Sequence, residues 1–293
     1  AWSKSTHTQT YYRWVERAYL GGMRLVVQLA TGNSVLCELV TGLGAQETLY
    51  SCNDMISVER AMDEMHALER YVDAQHGGPG KGWFRVVQSP AEAREVIGSG
   101  KLAVVLGIEI SNLFDCFLTP PEGFERCDEA SVTAALDRYY EMGVRVIFPV
   151  HKFDNAFAPG DGQGGVIELG NVINSGHYTN KVEDCPLGGS TFDRGGLSFK
   201  DLNQPREVYD SPAPLDMSAF KDNPVVALAP HLAAIQSGPQ AGEFCQKAGI
   251  TPLGEFLVTE MMRRGMIVDI AHLPQRALER VLEMHEAFDY PAT

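Results

Sequence analysis

Residues 139–151 read Tyr-Tyr-Glu-Met-Gly-Val-Arg-Val-Ile-Phe-Pro-Val-His. Upstream of this stretch Val132 and Leu136, and within it Tyr139 and Tyr140, recur at helical spacing, so residues 129–142 are expected to form an amphipathic helix. Gly143 suits the left-handed position just past a helix end. The apolar, β-branched run Val144–Val150 then reads as a strand. The same change of period recurs on both sides. Tyr12, Val15, Ala18 and Tyr19 precede Gly21-Gly22 and the strand Met23–Ala30, while Leu253, Phe256, Leu257 and Met261 precede Gly265 and the strand Met266–Ala271. Another unit opens on the capping box Ser89-Pro90-Ala91-Glu92, ends near Gly98–Gly100 and leads into Leu102–Ile108. Strands this continuously apolar are expected where helices cover both faces of a parallel sheet, which makes the fold class α/β.

Between these units, residues 54–75 place Met55, Val58, Met62, Met65, Leu68 and Val72 on one helical stripe, a core-packing face. From about 152 to 250 the period is lost and Gly, Pro, Asn and Asp accumulate, as in Ala158-Pro-Gly-Asp-Gly-Gln-Gly-Gly165. A connection this long is normally functional or disordered. It is expected to be an insertion, with short helices such as Pro224–Ile235, inside a single domain spanning 1–293.

The chain has 293 residues with 24 Lys plus Arg against 38 Asp plus Glu, a formal net charge of −14. That balance argues against a nucleic-acid binder, which needs a basic face. The longest apolar runs, such as Leu25–Ala30, fall far short of the roughly 20 residues that span a bilayer, so no transmembrane helix is expected. The opening Ala-Trp-Ser-Lys-Ser-Thr-His lacks the pattern of a signal peptide. Six cysteines are too sparse for a disulfide scaffold. Cys116 and Cys127, which bracket a loop-like stretch, are the best candidates for a bridge, against the alternative of six reduced thiols.

The chemistry points to strand ends, because β/α barrels build their sites at the carboxyl ends of parallel strands. Leu102–Ile108 runs into Glu109, Val144–Val150 into His151, and Met266–Ala271 into His272. Any one of these alone reads as a structural residue. Three in equivalent places point to a shared site, and a carboxylate with two imidazoles suits a borderline cation such as zinc. By strand alternation Asp269 faces away from His272 and reads as a supporting group. Nucleophile-elbow, His-Glu-x-x-His and phosphate-loop motifs are missing, and Gly77-Gly-Pro-Gly-Lys-Gly82 is most simply a turn. His7, His66, His76, His231 and His285 read as surface or helix-side residues, and His177, in a loop, as a candidate substrate contact.

Together, Lys101–Glu109, Tyr140–His151, Gly249–Leu257 and Arg264–His272 resemble the membrane dipeptidase (renal dipeptidase-like) family of the amidohydrolase superfamily, with the 152–248 stretch the least similar part. The resemblance implies a metal-dependent β/α (TIM) barrel hydrolase with two zinc ions. Glu109 would bridge both metals, His272 would bind one, and His151 would contact the substrate carbonyl. A metal-activated hydroxide would cleave the amide bond of a dipeptide or related small amide. The family's metal ligands from strands one, six and eight have no counterpart here, so the expectation is an internal fragment holding strands two to five, binding zinc poorly and inactive unless extended. Two alternatives stay open: a non-catalytic barrel that binds a ligand or partner, and another amidohydrolase activity such as lactone or phosphoester hydrolysis. The expected partner is a small peptide or amide, with a homodimer left open. The resemblance also suggests export to the periplasm, envelope or extracellular space, the alternative being the cytoplasm.

Overall fold

The computed structural model describes residues 11–42, 50–161, 166–175, 181–183, 197–199, 235–237, 244–246 and 248–291. Helix α1 (Tyr12–Leu20) leads into β1 (Leu25–Thr31), followed by α2 (Ser34–Gly42) and the long α3 (Asp54–Gln75). Then come β2 (Phe84–Val87), α4 (Pro90–Gly98), β3 (Leu102–Glu109), α5 (Glu129–Glu141), β4 (Val144–Ile147) and α6 (Val166–Ser175). Four short strands follow, β5 (Lys181–Glu183), β6 (Leu197–Phe199), β7 (Ile235–Ser237) and β8 (Phe244–Gln246). The described chain closes with α7 (Pro252–Arg263), β9 (Ile267–Val268) and α8 (Gln275–Phe288).

The main sheet is parallel throughout, in the order β1-β3-β4-β9, with β2 also paired to β3. β1 pairs along β3 from Ala103 to Glu109, whereas β2 takes Leu102–Val105 and β4 begins at Leu106. Among the described residues this is an open five-stranded parallel sheet of β/α units, and β2 is one strand more than the four expected. The expected period switches are present: Gly22, Gly100, Gly143 and Gly265 all adopt positive φ at helix-to-strand turns. Ser89 caps α4 by accepting the Glu92 N–H at 3.2 Å, with Pro90 at the first position.

β3 is the buried centre, with Leu102, Ala103, Val104, Leu106 and Ile108 fully enclosed. Met55, Val58, Met62 and Val72 of α3, Val132 and Leu136 of α5, and Leu257, Val258 and Met261 of α7 complete the core. β1 corrects an expectation, because Leu25 and Val27 remain 52% and 43% exposed. Its continuous apolar run reads as doubly covered, but its one ladder partner among the described residues is β3.

Two strands are shorter than expected. β4 ends at Ile147 rather than Val150, since Pro149 has no N–H to give and the last rung is the Phe148 N–H to the Ile108 carbonyl. β9 ends at Val268 rather than Ala271, because the Asp269 carboxylate accepts the Ala271 N–H at 3.0 Å and turns the chain. The alternation argument for Asp269 therefore does not apply. His285 is helix-side, as one of its two expected places has it, and not at the surface: it lies on the same helical face as Val281 and is 4% exposed, against Tyr290. Residues 77–82 form the expected turn, gathered on Asp73, which accepts the N–H groups of Gly80 and Gly82 and pairs with Arg85. Burial pushes the Asp73 carboxyl up, but the Arg85 guanidinium and the two N–H groups outweigh it and hold the pKa at about 2.

Cys116 and Cys127 form the expected disulfide, and Cys37–Cys52 forms a second, tying α2 to the segment before α3. Cys185, His7, His177 and His231 lie outside the described residues, as does the helix expected at Pro224–Ile235 except for Ile235, which opens β7. α6 is a short helix of the kind expected in the 152–250 stretch.

Candidate metal centre

Glu109 is the last residue of β3 and pairs in register with Thr31, the last of β1. The Thr31 hydroxyl donates to Glu109 Oε2 at 3.0 Å, which fixes one carboxylate oxygen and leaves Oε1 for the site. On the other side of β3, Ile147 pairs with both Ile108 and Val268. His151 and His272 each follow that paired row by four residues, so one ladder sets both imidazoles at the same height. Glu109 Oε1 lies 3.4 Å from His151 Nε2 and 3.3 Å from His272 Nε2, and the two rings meet edge to face at 4.8 Å between centroids. Glu109, His151 and His272 each offer a ligand atom within 4.8 Å of the others. The three strand-end residues singled out by sequence thus converge.

The site is largely enclosed, with the His151 side chain 12% exposed. Burial, reinforced by His272 and Lys152 and opposed by Glu109 and Asp161, lowers the His151 pKa to about 4. The ring is therefore neutral at pH 7 and available as a ligand or hydrogen-bond partner. Its Nδ1 is buried without a hydrogen-bond partner among the described residues. The His151 Nε2, beside the Glu109 carboxylate and the His272 imidazole, belongs to a donor set that fits a zinc-like cation.

Further groups escaped the sequence reading. Lys152 Nζ lies 3.2 Å and Asp161 Oδ2 3.5 Å from His272 Nδ1. Thr31 was detectable only through strand register, and Asp161 only through its place in the Gly-rich stretch after His151. Burial raises the Asp269 pKa, with Glu109 adding to it and the Ala271 N–H opposing it.

A buried polar web holds the loops around this centre. The Ser111 hydroxyl accepts the N–H groups of Lys152 and Phe153, and Asn155 donates to the carbonyls of Ser111 and Pro149. Asn112 and Asn174 exchange reciprocal amide bonds at 2.9 and 3.0 Å, and the Asn112 N–H reaches Asp54 Oδ2 at 3.2 Å. Asp54 is 2% exposed, and burial lifts its carboxyl from an ordinary 3.8 to about 6. Between roughly pH 4 and 6 the folded chain holds a proton that the unfolded chain has released, so this group's contribution to stability falls as pH rises, by about 3 kcal/mol at neutrality. Asp54→Asn, which keeps an acceptor for Asn112, is expected to gain on the parent by up to about this amount between pH 4.5 and 7.5 in urea unfolding. Parallel profiles for the two proteins would overturn this assignment.

A carboxylate and two imidazoles at the carboxyl end of a parallel β/α sheet is an arrangement that metal-dependent hydrolases use. Residues 230–287, which include α7, β9 and His272, match the profile described as membrane dipeptidase (peptidase family M19), the family that the strand ends resemble. No curated protein matches the sequence. Three of the matching solved structures are the dipeptidase AC, a metallopeptidase of family M19 (TM-score 0.46, 14% identity, covering 92% of this chain and 49% of that one); an amidohydrolase from Pseudomonas aeruginosa (0.41, 10%, 94% and 46%); and a metallopeptidase from Rhodobacter sphaeroides liganded with a phosphinate mimic of the dipeptide L-Ala-D-Ala (0.35, 16%, 77% and 38%). The chain spans about half the length of the first two, 49% and 46%.

Proposed function

We propose that this chain carries part of the active centre of a zinc-dependent hydrolase that cleaves the amide bond of dipeptides or related small amides. The observation that carries this reading is the convergence of Glu109, His151 and His272 within 4.8 Å. Glu109 and His272 would hold zinc, and a cation there would polarise a carbonyl and lower the pKa of water toward neutrality. Glu109 is held for this task by the Thr31 hydroxyl. His151, neutral at pH 7, faces the same space and would hold the substrate carbonyl by a hydrogen bond that strengthens as charge develops on oxygen. The two disulfides support an oxidising compartment, hence export.

The test pairs metal content with turnover. Because the chain spans about half of the matched structures, hydrolysis of a dipeptide panel is measured on the full reading frame, and zinc by elemental analysis on both proteins. Zinc in the longer protein, with dipeptide cleavage that His151→Ala lowers by roughly 100-fold or more, supports the reading. A longer protein free of zinc, or one that binds zinc without cleaving any dipeptide, overturns it, and the second outcome favours a binding protein on the same scaffold.

A further inference from the structure

We propose that Asp161 is the positioning carboxylate that orients His272 toward a divalent cation, and that Lys152 is its rival for the same ring nitrogen. This rests on the metal-centre reading above. A neutral imidazole has one N–H and one lone pair, so its two nitrogens never play the same part at once. If His272 Nε2, 3.3 Å from Glu109 Oε1, gives its lone pair to a cation, the proton must sit on Nδ1. Nδ1 can then only donate. Asp161 Oδ2, at 3.5 Å, can accept after a shift of about half an ångström, whereas the Lys152 ammonium has no acceptor to offer. If the proton sits on Nε2 instead, it points at Glu109, and the bare Nδ1 accepts from Lys152 Nζ at 3.2 Å. Asp161 and Lys152 therefore select opposite tautomers of one ring, and only the tautomer that Asp161 selects can bind metal through Nε2. Their charges act in the same sense, the carboxylate favouring a cation and the ammonium opposing it.

The chain after β4 presents both groups to the ring. A Cβ on Gly160 would stand 2.7 Å from the Lys152 carbonyl oxygen, so only glycine lets the loop close there. The Gly160 N–H is held by Asp154 Oδ1 at 2.8 Å, and the Lys152 N–H by the Ser111 hydroxyl at 3.1 Å. Lys152 and Asp161 consequently leave the loop together, beside His272, whose own backbone is fixed in the left-handed region at φ 69°.

The experiment is a zinc competition titration against a chromophoric chelator on the full reading frame, as parent, Asp161→Asn and Lys152→Met, each checked for an unchanged urea midpoint. Asp161→Asn is expected to weaken zinc binding about 10- to 100-fold, as loss of such an orienting carboxylate does. Lys152→Met is expected to tighten it roughly tenfold by removing a nearby positive charge. Long-range nitrogen–proton NMR of His272 should find the proton on Nδ1 when zinc is bound and on Nε2 after chelation. A parent that binds zinc together with an Asp161→Asn affinity unchanged within about twofold overturns the orienting role alone. The same tautomer in both states also overturns it. A parent that takes up no zinc overturns both this role and the metal-centre reading.

Discussion

Glu109→Gln is expected to weaken zinc binding by at least about 100-fold, more than the loss of a supporting carboxylate would. The side chain keeps its shape and its oxygen toward the Thr31 hydroxyl, so β3 and its rung to β1 should survive. What disappears is a negative charge that His151 and His272 both face, at 3.4 and 3.3 Å from Oε1. In a partly enclosed site that charge counts for several times its worth in water. Isothermal titration of zinc into the full reading frame, parent and variant, measures the loss, and a variant that binds as well as the parent would place the metal elsewhere. His272→Ala should behave alike, since it removes the second ligand of the same centre.

The largest effect on stability is expected at Gly254, in the first turn of α7. Alanine in a helix normally stabilises by about 1 kcal/mol relative to glycine. Here a Cβ would stand 2.1 Å from the Phe157 carbonyl oxygen and 2.6 Å from Ile250 Cγ1. That carbonyl cannot easily withdraw, because it accepts the Thr251 N–H at 2.9 Å and the Thr251 hydroxyl at 3.1 Å. Gly254→Ala is therefore expected to cost about 3 kcal/mol or more in urea unfolding, the overpacking far outweighing the propensity gain. α7 leads directly into β9 and His272, so zinc affinity should fall with stability. A variant as stable as the parent would mean that Phe157 and α7 slide apart at little cost.

The helix–glycine–strand units were legible because their signal is local: a stripe of apolar side chains, a residue free to take positive φ, then an apolar run. Glu109, His151 and His272 were legible because each follows such a run. The true ends of β4 and β9 were not, since they depend on how the chain leaves the sheet, at Pro149 in one case and at the Asp269 turn in the other. Thr31 needed the β1–β3 register, and Lys152 and Asp161 needed the closure of a loop on Gly160, both long-range facts. The exposure of Leu25 and Val27 is likewise a property of position in the sheet, which an apolar run does not reveal.

The paired row Ile147–Val268, with a histidine four residues beyond each member, divides the chain by how freely its length can drift. More than a hundred residues separate the two histidines, and the number of residues in the middle of that interval does not set their height, which the ladder aligns. The short tails 148–150 and 269–271 have no such freedom. One codon gained or lost in either would turn its imidazole away from Glu109. Over evolutionary time, insertions and deletions can therefore collect in the long interval, where substrate preference could be rewritten, while the two tails stay constant in length.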